Sequence, residues 1–124
     1  MKSLSAKLKR LHSPDVYDLD SFAPTDQEKF VIFIQAMFGP SEGEGEESFD
    51  IIVCNPEWLK QKVAQEKVYN ARNHLIVNAF DINELKEYLN NYAQSCLGSN
   101  WLEVAAKLAE IGRWEFADYP KNEI

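Results

Sequence analysis

The sequence predicts an α+β fold: a mostly antiparallel sheet of about five strands with three helices packed on one face, in the order β-β-β-α-β-α-α-β. Three observations carry this. Phe30 to Phe38 (FVIFIQAMF) is apolar on both faces, as a central strand is. Capping signals at Asn55, Asp81 and Asn100 each open a helical stretch. No internal repeat or linker divides the 124 residues, a length near the commonest domain size, so residues 1–124 are read as a single domain.

Taken in order, Leu4, Ala6 and Leu8 alternate with polar residues as a half-buried strand does, but Leu11 breaks the parity. That break predicts a bulge near Lys9 and Arg10. Ser13-Pro14-Asp15 ends the strand, and a loop rich in Asp, Ser and Pro runs to Pro24. After the central strand, Gly39-Pro40 starts a polar connection through Glu47, and Phe49 to Cys54 (FDIIVC) supplies the next strand. The pair forms a hairpin with a long tip.

Asn55-Pro56-Glu57 combines a cap, a proline at the first helical position and an early carboxylate, which predicts a short helix to about Lys67. His74 to Phe80 (HLIVNAF) reads as a strand. Asp81 with Glu84 forms a capping-box-like start, and Ile82, Leu85, Leu89, Tyr92 and Cys96 make one apolar stripe of a long helix that Gly98 stops. Asn100 with Glu103 opens a third helix, whose buried stripe is Trp101, Val104, Ala105, Leu108 and Ile111, ending at Gly112. Arg113 to Tyr119 (RWEFADY) alternates like a last strand. On it Trp114 and Phe116 face the helices as core residues, and Glu115 points the other way. Trp58 and Trp101, each beginning a helix, are read as core anchors.

Charge is distributed unevenly. Residues 15–50 hold ten carboxylates (Asp15, Asp18, Asp20, Asp26, Glu28, Glu42, Glu44, Glu46, Glu47 and Asp50) against Lys29 alone, a local balance of −9 in a chain of net charge −7. The remainder carries twelve basic and ten acidic residues, so the acidity is regional and argues for a cationic partner. An apolar share of 45% and an aromatic share of 12% support a packed core and separate the chain from a disordered acidic tail. The opening MKSLSAKLKRLHS has no continuous apolar stretch, so neither a secretory signal nor a transmembrane helix is expected, and a cytoplasmic location is. Cys54 and Cys96 lie in apolar surroundings without metal spacing and are read as buried, reduced thiols.

Several short motifs follow one another along the chain: Leu11-His12-Ser13-Pro14-Asp15, Gln35-Ala36-Met37 leading to Gly39-Pro40, and Glu47-Ser48-Phe49-Asp50 continuing to Val53-Cys54. Pro56-x-Trp58-Leu59, Ser95-Cys96-x-Gly98 and Gly112-x-Trp114-Glu115-Phe116 follow. Together they resemble the immunity protein 8 family of bacterial polymorphic toxin systems; residues 60–73 and the last few positions carry no matching motif. The resemblance implies an α+β immunity protein, encoded beside a toxin gene, that neutralises the cognate toxin domain by direct binding. It does not identify that toxin.

An acidic surface suits a toxin whose substrate cleft is basic, such as a nuclease. The expected contact residues are Glu42, Glu44, Glu46 and Glu47 at the hairpin tip and Asp15, Asp18 and Asp20 in the loop before it. Apolar anchors are needed beside them, and of Tyr17, Phe22 and Phe38, all within the acidic window, Tyr17 and Phe22 are chosen. The competing explanations are ordinary: glutamates keep a solvated tip soluble, and aspartates form turns. Neither acidic segment matches a calcium loop, so no metal is expected. His12 and His74 are the only histidines and are accompanied by no nucleophile elbow, phosphate-binding glycine loop or zinc spacing, so neither catalysis nor a cofactor is expected. Nucleic acid would meet a negative surface, and no basic amphipathic helix addresses a membrane. The alternative to an immunity protein is a non-enzymatic adaptor holding a basic partner through the same acidic patch.

Overall fold

In the computed structural model, residues 3–117 are described. They form β1 (Ala6–His12), a 3₁₀ turn (Leu19–Ser21), β2 (Val31–Pro40), β3 (Glu47–Cys54), α1 (Pro56–Glu66), β4 (His74–Ile76), α2 (Ile82–Ser95), α3 (Trp101–Leu108) and β5 (Arg113–Trp114). This is the predicted element order. The sheet runs β1-β2-β3-β4, with β5 also bonded to β3. The outer edge of β3 is therefore divided: Ile52–Cys54 pair in parallel with β4, while Phe49 and Asp50 pair antiparallel with Trp114 and Arg113.

Strand register explains where the core sits. Ile32, Ile34 and Ala36 stand opposite Val53, Ile51 and Phe49, so these side chains and Phe38 share one face of the sheet. All are buried, and Leu85, Leu89 and Ala93 from α2 with Val104, Ala105 and Leu108 from α3 bury their own stripes in the same core. Each fully buried aliphatic or aromatic side chain contributes roughly 1.5–3 kcal/mol of transfer free energy. Phe38 is wholly buried there, in edge-to-face contact with Phe49, and so is no candidate interface anchor.

The bulge in β1 lies where the broken parity placed it. Leu8 pairs with Phe38 and Arg10 with Met37, which leaves Lys9 as the extra residue. The backbone N–H of Leu8 donates to Asn90 Oδ1 of α2 at 2.9 Å, so the helix satisfies an edge strand that would otherwise be open. Each predicted cap is present: Asn55, Asp81 and Asn100 accept from first-turn backbone N–H groups. Asn55 does more. Its Oδ1 also accepts from Phe30 N–H at 3.1 Å and its Nδ2 donates to Glu28 O at 2.6 Å, tying β2, β3 and α1 at one buried point.

Three expectations need correction. The strand predicted from His74 to Phe80 stops at Ile76, because Val77 makes the last bond to β3 and the chain then turns to set Phe80 against Phe22 and Phe30. The strand predicted from Arg113 to Tyr119 is two residues long: Ala117 N–H folds back to Trp114 O, and positions 118 and 119 lie outside the described residues. Gly112 lets β5 dock at all, since a Cβ there would stand 2.8 Å from Ile51 Cγ1. Finally, packing on the shared core face holds for α2 and α3. α1 buries no residue; its Trp58 stacks on His74, which alternates away from the core-packed Leu75.

Candidate functional site

The acidic window is split by the sheet. Ser13 Oγ donates to Phe33 O at 2.6 Å, which fixes the 14–22 loop beside the first half of β2, whereas the hairpin tip begins beyond Pro40. Seven strand residues at about 3.4 Å each separate the two by roughly 24 Å. Sequence proximity had suggested one acidic front; the fold makes two.

At the hairpin tip the chain curls back over β1. Gly43 and Gly45 adopt φ of 108° and 104°, and Lys9 Nζ donates to Gly43 O at 2.8 Å. Arg10 Nε pairs with Glu46 Oε1 at 2.6 Å, and the hydroxyls of Ser5 and Ser41 are 2.7 Å apart. Gly45 O rests directly on Gly39, where any Cβ would collide with it. Glu42 and Glu44 are exposed on this held loop. Glu46 is half-buried in its ion pair. Glu47 turns inward, and its Oε1 accepts from the indole N–H groups of both Trp101 and Trp114 at 2.8 Å. It thereby braces the start of β3 to α3 and β5. Both tryptophans pack against the core, and Trp114 stacks on Phe49 at 6.3 Å. Phe116 meets Trp114 edge-on, and Glu115 accepts from Ser48 N–H at 2.6 Å.

In the 14–22 loop, Asp15 and the fully exposed Tyr17 face solvent. Asp18 caps the 3₁₀ turn and also accepts from Ser21 Oγ at 2.9 Å. Asp20 pairs with Lys86 of α2 at 2.6 Å. Phe22 is half-buried, with its ring 5.2 Å from that of Phe80. The loop is thus anchored at Ser13, Asp18, Asp20 and Phe22, and presents Asp15 and Tyr17.

A feature the sequence reading did not single out lies on the face of the sheet opposite α2 and α3. Val31, Phe33 and Ile52 form the floor of a groove of about 520 Å³, bounded by Asp15 and Val16 on one side and by Trp58 and Tyr69 on the other. Trp58, read from sequence as a core anchor, is half-buried on this groove and stands outside the core. Tyr69 Oη lies 2.6 Å from His74 Nε2, while His74 Nδ1 lies 2.8 Å from Arg72 O, so both ring nitrogens are engaged in fixing the Trp58–Tyr69 wall. The signal was present: β2 is apolar on both faces, but only one face is covered by amphipathic helices.

Cys54 and Cys96 are free and buried, and burial pushes both thiols up. Among the described residues no three His, Cys, Asp or Glu side chains are grouped as metal ligands, and no helix is long and apolar enough to cross a membrane. Comparison with curated proteins and with solved structures gives no match. The family model described as Immunity protein 8 matches residues 6–119, nearly the whole described chain, and the protein belongs to that family.

Proposed function

We propose that this chain binds a cognate toxin and blocks it, by covering its active site or an adjacent exosite, and that the toxin domain is basic, as nucleases are. The observation that carries the reading is the family match over residues 6–119, which implies an immunity protein against a toxin. Charge supports the finer part. The chain carries a net charge of −7, and Glu42 and Glu44 project from a loop already pinned by Lys9 and Arg10, so little loop ordering opposes binding. A field of this sign raises association with a cationic protein above the neutral range of about 10⁵–10⁶ M⁻¹s⁻¹. Tyr17, exposed beside Asp15, supplies an aromatic contact at the other end of the sheet. The binding takes place in the cytoplasm of the producing cell and uses no cofactor, nucleic acid or membrane.

The test is co-expression. The product of the adjacent gene should kill cells alone and be harmless beside this chain; killing that persists in the presence of folded protein refutes immunity and favours the adaptor reading. Glu42→Gln with Glu44→Gln should slow association and flatten its salt dependence without altering stability. Glu47 is left out of that pair because its carboxylate is bonded internally.

A further inference from the structure

The uncovered face of the sheet has a definite chemistry. Val31 is 41% exposed although it is a strand residue in an apolar run, and Phe33 and Ile52 beside it are half-buried. Covering them removes apolar area from water, which favours an occupant. The wall of the groove is aromatic, and the face of an aromatic ring is its negative region. That preference is already expressed within the chain: Lys62 Nζ sits 5.5 Å from the centre of the Tyr69 ring. Lys62 itself lines the groove, and its charge is met within the chain by Glu66 Oε2 at 3.4 Å. On the opposite rim, Asp15 is exposed and makes no ion pair among the described residues.

We infer that this groove receives an arginine-bearing cationic segment of the toxin, one guanidinium lying on the Trp58–Tyr69 wall and a second cationic group meeting Asp15 on the opposite rim. Arginine fits the wall better than lysine because a planar, weakly hydrated guanidinium stacks on an aromatic face. A second copy of this chain is the wrong occupant. It would bring another net charge of −7, and a two-fold contact through this groove would set Asp15 toward its own copy. The inference rests on the immunity reading for the identity of the partner, but not for the chemistry of the groove.

Two arms of one experiment keep those apart. In the first, an alternating arginine–glycine heptapeptide is titrated into the isotopically labelled protein and the three tryptophan indole N–H resonances are followed. Trp58 should shift, while Trp101 and Trp114, both bonded to Glu47, should not. Val31→Lys should weaken the peptide by about tenfold or more through like-charge repulsion, and Val31→Glu should not weaken it. Unmoved Trp101 and Trp114 resonances verify that each variant is folded. A stationary Trp58, or an equal response to a glutamate–glycine peptide, overturns the inference.

In the second arm, the same variants are tested for neutralisation of the toxin. Loss of protection with Val31→Lys and its retention with Val31→Glu supports the assignment. Equal protection by both, with wild type protective, removes the toxin from this groove and leaves the immunity reading standing. Failure of wild type to protect removes the immunity reading, and the peptide arm then decides the cation preference alone.

Discussion

Replacing Glu47 should separate a brace from a binding contact. Its Oε1 takes hydrogen bonds from two indoles that belong to different elements, Trp101 at the start of α3 and Trp114 in β5. A hydrogen bond to a charged group contributes about 1.5–3 kcal/mol. The two bonds share one oxygen and all three side chains are half-buried, so full additivity does not apply, and Glu47→Ala is expected to cost about 2–4 kcal/mol. Glu47→Gln keeps an amide oxygen at nearly the same place but loses charge assistance, which should cost about 1 kcal/mol. Urea unfolding followed by tryptophan fluorescence reads this directly, because two of the three tryptophans are the affected partners. With a slope of about 2 kcal/mol/M, the middle of the usual urea range, the Ala variant should shift the midpoint by roughly 1–2 M at unchanged slope. A shift below about 0.5 kcal/mol equivalent would refute the brace. Unchanged stability together with weakened toxin binding would make Glu47 an interface residue instead.

The remaining predictions concern other elements. Asn55→Ala removes a helix cap and leaves Phe30 N–H and Glu28 O without their partner, so it should cost about 2–4 kcal/mol in the same unfolding assay; Asn55→Asp should recover only part, since it directs a carboxylate oxygen at Glu28 O. Backbone and hydroxyl donors of Ser99 hold the Glu103 carboxyl below the usual carboxylate range. Because its folded pKa is depressed, the stability it gives is present above the unfolded pKa and is lost as pH falls through the folded one; acid titration of unfolding in Glu103→Gln should lack that component, and identical pH profiles would refute it. Cys54 and Cys96, buried and with thiols pushed up by desolvation, should react with an alkylating reagent only as fast as the protein unfolds; rapid native-state modification would contradict their placement.

What could be read from the sequence was what is encoded locally. Asn55, Asp81 and Asn100 announce helix starts because a cap and the N–H groups it bonds lie within three residues of one another. The β1 bulge was legible because strand parity is a period of two, and Leu11 violates it. Strand ends were less legible. β4 and β5 are short because they divide one edge of an eight-residue strand, a fact held by β3 and not by either segment. The candidate site followed the same division. A run of glutamates identifies an acidic tip, but nothing near Glu47 reveals that Trp101 and Trp114 will claim it. The groove was half visible, as apolar residues on the uncovered face of β2, and half hidden, because Trp58 and Tyr69 reach it only after α1 passes to that side.

The division of the β3 edge also bears on synthesis. β2, β3 and β4 are contiguous and can assemble as they leave the ribosome, but Asp50 waits for Arg113, about 60 residues later in translation. At ~5–20 residues per second that interval is roughly 3–12 s, during which Phe49 lacks its Trp114 neighbour and Glu47 lacks one of its two indoles. The half of the β3 edge that β5 closes is therefore the last part of the sheet to be completed, and a chain cut short before Arg113 should lack that closure while keeping the β1-β2-β3-β4 order.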